Sequence, residues 1–164
     1  MQTRGVSTPF RFEDLPGRPC PIAASLDVVG ERWSLLVVRE IALGNHRFSQ
    51  IARGTGAPRD RLSARLRALV AAGVVDHRED GGYHLTGAGK DLIPALQMLL
   101  QWGNRWLTDE PPVVLEHRPH EHADHALDGE WVCRTCGEPV APADVRRVLT
   151  PAGRRLTAAA DPGA

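Results

Sequence analysis

The chain has 164 residues, 42% of them apolar, enough for one domain with an appendage and a real core. No apolar run approaches the length of a membrane span, and MQTRGVSTPF lacks an apolar segment followed by a cleavage site, so neither a transmembrane helix nor a signal peptide is read and a cytoplasmic protein is expected. Formal charge sums to zero, and three cysteines are too few for a disulfide framework.

Residues 1–19 are polar with several prolines and read as an extended N-terminal arm. In "CPIAASLDVVG", Pro21 suits a first helical position and Gly30 a stop. "ERWSLLVVREIALG" spaces Trp33, Leu36, Val37, Glu40 and Ile41 as a helix ending at Gly44. "RFSQIARGTG" predicts one or two helical turns with Ser49 as N-cap, broken by the cluster Gly54 to Pro58. A further helix runs to Gly73, with Leu62, Leu66, Leu69 and Val70 expected on one face. "VVDHREDGGYHLT" then reads as a hairpin with its turn at Asp80-Gly81-Gly82 and Tyr83 to Thr86 as the return strand. Thr86 caps a long helix, kinked at Pro94, whose apolar positions 92, 93, 96, 99, 100, 103, 106 and 107 form too wide a stripe for one wet side. Pro111-Pro112 marks a boundary, an appendage follows to about Leu149, and residues 150–164 are expected to be disordered.

Charge is uneven along this order. Residues 31–70 carry eight arginines against three acids, whereas residues 106–131 carry seven acids, one arginine and four histidines. Four of the arginines, Arg59, Arg61, Arg65 and Arg67, fall on one helix beside a single acid, Asp60. A short helix, a glycine turn and a second helix with a basic outer face form a helix-turn-helix candidate, and the hairpin behind it a wing. Guanidinium groups suit both phosphates and guanine edges. The candidate DNA contacts are Ser49, Gln50, Pro58, Arg59, Arg61, Ser63, Arg65 and Arg67, with His77 and Arg78 on the wing. "GTG" at 54–56 and "GAGK" at 87–90 lack phosphate-loop spacing, and "HEHADH" at 120–125 is not a zinc-protease motif.

Residues 20–103 resemble the HxlR-type winged helix-turn-helix regulators. The anchors are Cys20-Pro21, Gly30, Trp33, Arg39-Glu40, Arg47-Phe48, Leu62, Arg65-Leu66, Gly73, Tyr83, Leu85-Thr86, Gly89 and Trp102-Gly103. The resemblance implies a mainly α (α+β) fold: a winged helix-turn-helix with a two-stranded wing and a long C-terminal dimerisation helix. It also implies a bacterial regulator that binds a palindromic operator as a homodimer, and no enzymatic activity. One departure is the wing, which is shorter than the family's and acidic at its tip. Cys20 precedes a helix start, where the dipole favours a thiolate, and some members of the resembling family sense oxidants or electrophiles at this place.

The appendage carries C-x-x-C-G at Cys133 and Cys136 behind His117, His120, His122 and His125. Two thiolates and two imidazoles satisfy tetrahedral zinc. Some members of the resembling family carry a metal-type residue where this chain has His120, so Cys133, Cys136, His117 and His120 are the expected ligands of a structural Zn2+, with His122 and His125 as the alternate pair. The organisation is therefore an arm over 1–19, a DNA-binding and dimerisation domain over 20–108, a small Cys/His zinc-ribbon-like appendage over 109–149 and a tail over 150–164. A metal-dependent enzyme or metal sensor built on the Cys/His segment is the alternative.

Overall fold

The structure, a computed structural model, describes residues 20–160. The arm expected over 1–19 lies outside them. The described residues divide into two compact units, 20–96 with 151–160, and 97–150.

The first unit is helix-rich with one small sheet. Helices α1 (Pro21–Val29), α2 (Ser34–Ala42), α3 (Phe48–Thr55) and α4 (Arg59–Ala71) precede the antiparallel hairpin β1 (Val75–His77) and β2 (Tyr83–Leu85), then α5 (Gly87–Lys90) and the start of α6 (Ile93–Trp106). This is the winged helix-turn-helix arrangement that the sequence pattern implied. Pro21 opens α1, and Gly56, at φ +64°, ends α3 in the left-handed region where a side chain is disfavoured. Val37, Val38 and Ile41 of α2, Ile51 of α3, Leu62, Leu66 and Leu69 of α4, and Val74 and Val75 beside the hairpin close one core. Val70, expected among them, is exposed. At 100° per residue it lies about 80° around α4 from Leu62, at the rim of the arc that Leu62, Leu66 and Leu69 bury.

Two other expectations change. Ser49 lies inside α3, and Arg47 occupies the N-cap position; the Gln50 side chain reaches back to accept from the Arg47 N–H (2.9 Å). The helix after Thr86 is two helices rather than one kinked helix. The Thr86 hydroxyl does cap the first, accepting from the Gly89 N–H (3.2 Å). The break comes at Asp91-Leu92, because Pro94 has no N–H for the Lys90 carbonyl and its ring crowds that carbonyl. Pro94 sits instead in the first turn of α6, where a missing N–H costs nothing.

Leu92 and Leu96 pack against the core, and none of residues 97–150 is buried. The division into units consequently falls inside α6, ahead of the Pro111-Pro112 boundary. In the second unit β3 (Glu116–His117) pairs antiparallel with β4 (His125–Ala126), Val132 bridges to Pro139, and a 3-10 turn spans Pro142–Asp144. In place of the disordered tail expected over 150–164, Pro151–Ala160 form a helix, α7. Proline at its first position and the alanine run at its end favour that state.

Candidate nucleic-acid interface

Helix α4 presents its N-terminal half to solvent. Pro58 holds the N-cap position without a side-chain cap, and the first intrahelical bond runs from the Leu62 N–H to the Pro58 carbonyl (2.8 Å). The N–H groups of Arg59, Asp60 and Arg61 thus face outward at the positive end of the helix dipole. Placing arginines there is locally unfavourable for the isolated helix, since like charges meet the dipole. The same arrangement concentrates donors and positive charge for an anion.

The four arginines are not equivalent. Arg59 lies 5.1 Å over the Phe48 ring at the start of α3, which joins the two helices of the motif at their exposed edge. Arg61 is exposed and only loosely paired with Asp60 (3.9 Å). Arg67 donates to the Ser63 hydroxyl (3.0 Å), one helical turn earlier. Arg65 is the exception: its side chain is largely covered and its guanidinium faces Glu31 (3.6 Å) in the turn between α1 and α2. It lies about 60° from the centre of the buried arc, so its stem runs along the core edge. Arg65 ties α4 to that turn, while Arg59, Arg61 and Arg67 stay available. Ser49, Gln50 and Pro58 are exposed beside them.

Three contacts fix the wing. Tyr83 donates its N–H to the His46 carbonyl (2.8 Å) and accepts at its own carbonyl from His46 Nδ1 (2.9 Å). The His46 and His84 rings stack at 4.2 Å. Arg47 donates to the carbonyl of Asp80 at the wing tip. The tip itself is tightened by the Gly82 N–H, which donates to Asp80 Oδ1 (2.7 Å) and holds the carboxyl below its usual range, helped by the charges of Arg47, His84 and Arg78. His77 stacks on Tyr83 at 4.4 Å, and Arg78 pairs with Asp76 at 3.8 Å. His84 is held below the ordinary imidazole range, first by desolvation and then by the charges of Arg78 and His46.

Behind α3 lies a buried carboxylate. Glu40 accepts from Arg39 Nε and Nη2 (3.0 and 2.7 Å) and from Asn45 Nδ2 (2.7 Å). Arg39 Nη2 also donates to the Gly54 carbonyl (2.8 Å), locking α2 to the last turn of α3. His46, Arg47 and Glu40 were not singled out as positioning groups from sequence. The wing partners of His46 and Arg47 lie 37 and 33 residues away, and no local spacing encodes that pairing. Arg39-Glu40 and Arg47-Phe48 were visible only as motif residues.

In the second unit, Cys133 and Cys136 sit in a tight turn closed by the Gly137 N–H to the Cys133 carbonyl (2.7 Å) and the Cys133 N–H to the Glu138 carbonyl (2.9 Å). Hydrogen bonds from the Cys136 and Thr135 N–H groups, with the Cys136 side chain adding to them, bring the Cys133 thiol down to about 7. His117 faces His125, with Nδ1 and Nε2 3.4 Å apart, rather than His120. Among the described residues no group of three or more His, Cys, Asp or Glu side chains gathers around one point, so the cysteine pair and the histidine pair stand as separate halves. Cys20, half-buried, occupies the N-cap position of α1 without a side-chain cap bond.

The comparisons with known proteins agree with this geometry. The HxlR-like helix-turn-helix family model matches residues 28–111. The uncharacterised HTH-type transcriptional regulator Rv3095 of Mycobacterium tuberculosis is 42% identical over 132 residues, covering 76% of this chain and 82% of its own length. Among solved structures, a candidate transcription factor, PA1607, superposes with a TM-score of 0.66 at 35% identity, covering 79% of this chain and 94% of its own. A second, PA1374 from Pseudomonas aeruginosa, gives 0.55 at 29% identity, with 81% and 94% covered. Among the described residues no helix is long and apolar enough to cross a membrane.

Proposed function

Since this chain belongs to the HxlR-like helix-turn-helix family of DNA-binding transcriptional regulators, we propose that it binds a palindromic operator as a homodimer, with the N-terminal half of α4 in the major groove. The observation that carries this reading is the exposure of Arg59, Arg61 and Arg67 around an uncapped helix start, with Arg65 turned inward to Glu31. Three exposed α4 arginines in each of two protomers give six phosphate or base-edge cations. The slope of log Kobs against log salt is then about −5. Titration of operator DNA across salt concentrations tests it; a slope near zero refutes contact through this helix. Ser49, Gln50, Pro58 and Ser63 flank the arginines, and His77 and Arg78 reach backbone phosphates from the short wing.

The dimer forms through α6. Its later half carries Met98, Leu99, Trp102 and Trp106, each more than half exposed, and no residue of the helix is buried. Such a stripe on a soluble chain marks a partner-covered face. Cys20, at the start of α1, is the residue through which oxidants or electrophiles act on DNA binding; Cys20→Ser keeps operator affinity and loses the response to diamide. For the second unit we infer a structural Zn2+ on Cys133 and Cys136. What supports it is the N–H-lined turn around the cysteines and the lack of any buried residue to stabilise residues 97–150 otherwise. His117 and His125 are the imidazoles the fold brings to each other, so they replace His117 and His120 as the pair to test.

A further inference from the structure

A cavity of about 320 Å³ opens at the root of the wing, lined by Ile41, Ala42, His46, Arg78, His84, Leu85, Lys90 and Ile93. Its size falls in the range of small-molecule sites. Its walls come from the end of α2, the turn before α3, the wing loop at Arg78, strand β2, the end of α5 and the start of α6. None of these residues lies on α4, and only Arg78 is shared with the DNA contacts assigned to the wing.

The lining is divided by chemistry. Ile41, Ala42, Leu85 and Ile93 supply apolar surface. His46 and His84 stack at 4.2 Å and present aromatic faces with polar edges. His84 Nε2 is buried and has no hydrogen-bond partner among the described residues. Arg78 and Lys90 add positive charge. Arg78 is shared with Asp76 at 3.8 Å, whereas among the described residues Lys90 has no carboxylate partner and no acidic side chain lines the cavity.

We propose that this cavity binds a small organic carboxylate with an apolar, preferably planar, body. The body lies against Ile41, Leu85, Ile93 and the stacked imidazoles. The carboxylate meets Lys90 and Arg78. An occupant touches the wing, α2 and α5 together, which makes wing position depend on ligand.

Sodium benzoate is the probe, followed by NMR of the full-length protein without DNA. Failure of the DNA reading therefore leaves this test intact. Saturable shifts at His46, His84 and Leu85 are expected, with benzyl alcohol, uncharged and of like shape, at least about tenfold weaker. Lys90→Gln, at an exposed position, weakens benzoate by a similar factor and leaves the remaining spectrum in place. Absence of saturable shifts at these residues overturns the proposal. So does benzyl alcohol binding as well as benzoate, or benzoate affinity unchanged in Lys90→Gln.

Discussion

Gly54→Ala sets two effects of opposite sign against each other. The residue lies in the last turn of α3, and alanine is the better helix former by about 0.5–1 kcal/mol. Propensity alone therefore calls for a more stable protein. A Cβ at Gly54, however, would stand 2.0 Å from Glu40 Oε2 and 2.3 Å from its carboxyl carbon. The carboxylate would have to retreat by more than an ångström. A free surface glutamate does this at no cost, but the Glu40 side chain is 6% exposed and held by three hydrogen bonds of 2.7–3.0 Å. Each hydrogen bond to a charged group contributes about 1.5–3 kcal/mol, so losing one exceeds the propensity gain. Losing two gives a net destabilisation of about 2–5.5 kcal/mol. Urea unfolding at fixed protein concentration reads the difference. Gly87→Ala is the control, because nothing lies within 4 Å of its Cβ, and it should be neutral or slightly stabilising. In the Glu40→Ala background Gly54→Ala should lose its penalty. Gly54→Ala as stable as the wild type would refute the locked-carboxylate argument.

The arginines of α4 separate by role. Arg61→Ala should cost about 1–3 kcal/mol of operator affinity if it reads a base, without shifting the unfolding midpoint. Arg65→Ala should lower unfolding stability by at most about 1 kcal/mol and affect operator binding less, and the reverse ranking by fluorescence anisotropy would contradict the assignment. Trp102→Asp on α6 should turn a dimer into a monomer in sedimentation velocity; a monomeric wild type at micromolar concentration sinks the interface. For pH, the folded state holds His84 below its ordinary range, so its neutral form is favoured on folding. Its stabilisation is present above pH 6.5 and is lost as pH falls through the lowered value. His84→Gln should flatten that acid-side decline, and an imidazole titrating at or above the ordinary range in NMR would oppose it. Metal analysis of untagged protein should find about one zinc per chain, lost in Cys133→Ser with Cys136→Ser; metal-free wild type refutes the structural zinc.

The helices and the hairpin could be read from sequence because their signals are local. Pro21, the glycine stops and the leucine spacing of α4 each act within a turn or two. The arginine cluster was equally visible, since charge needs no partner to be counted. What spacing hid was partnership. Nothing in "RLSARLRALV" separates Arg65 from Arg61 until Glu31 is folded against it. Val70 fits the heptad-like pattern yet sits at the rim, because the width of the buried arc depends on what packs there. The break before Pro94 followed from a rule that allows either a kink or a stop, and the choice lies in the neighbouring carbonyl. In the Cys/His segment, histidine spacing alone admitted several pairs, and only the β3–β4 pairing shows that His117 faces His125.

The hairpin has only three residues in each strand, too few to hold itself together in water. Both backbone groups of Tyr83 are instead engaged by His46, and the tip is held by Arg47. The wing and the turn leading into α3 consequently form one cooperative unit of opening. The Tyr83 amide cannot exchange with solvent until the His46 carbonyl releases it, so wing protection against deuterium follows the stability of the α2–α3 turn rather than that of the two strands. A substitution in that turn, outside the hairpin altogether, melts the wing first.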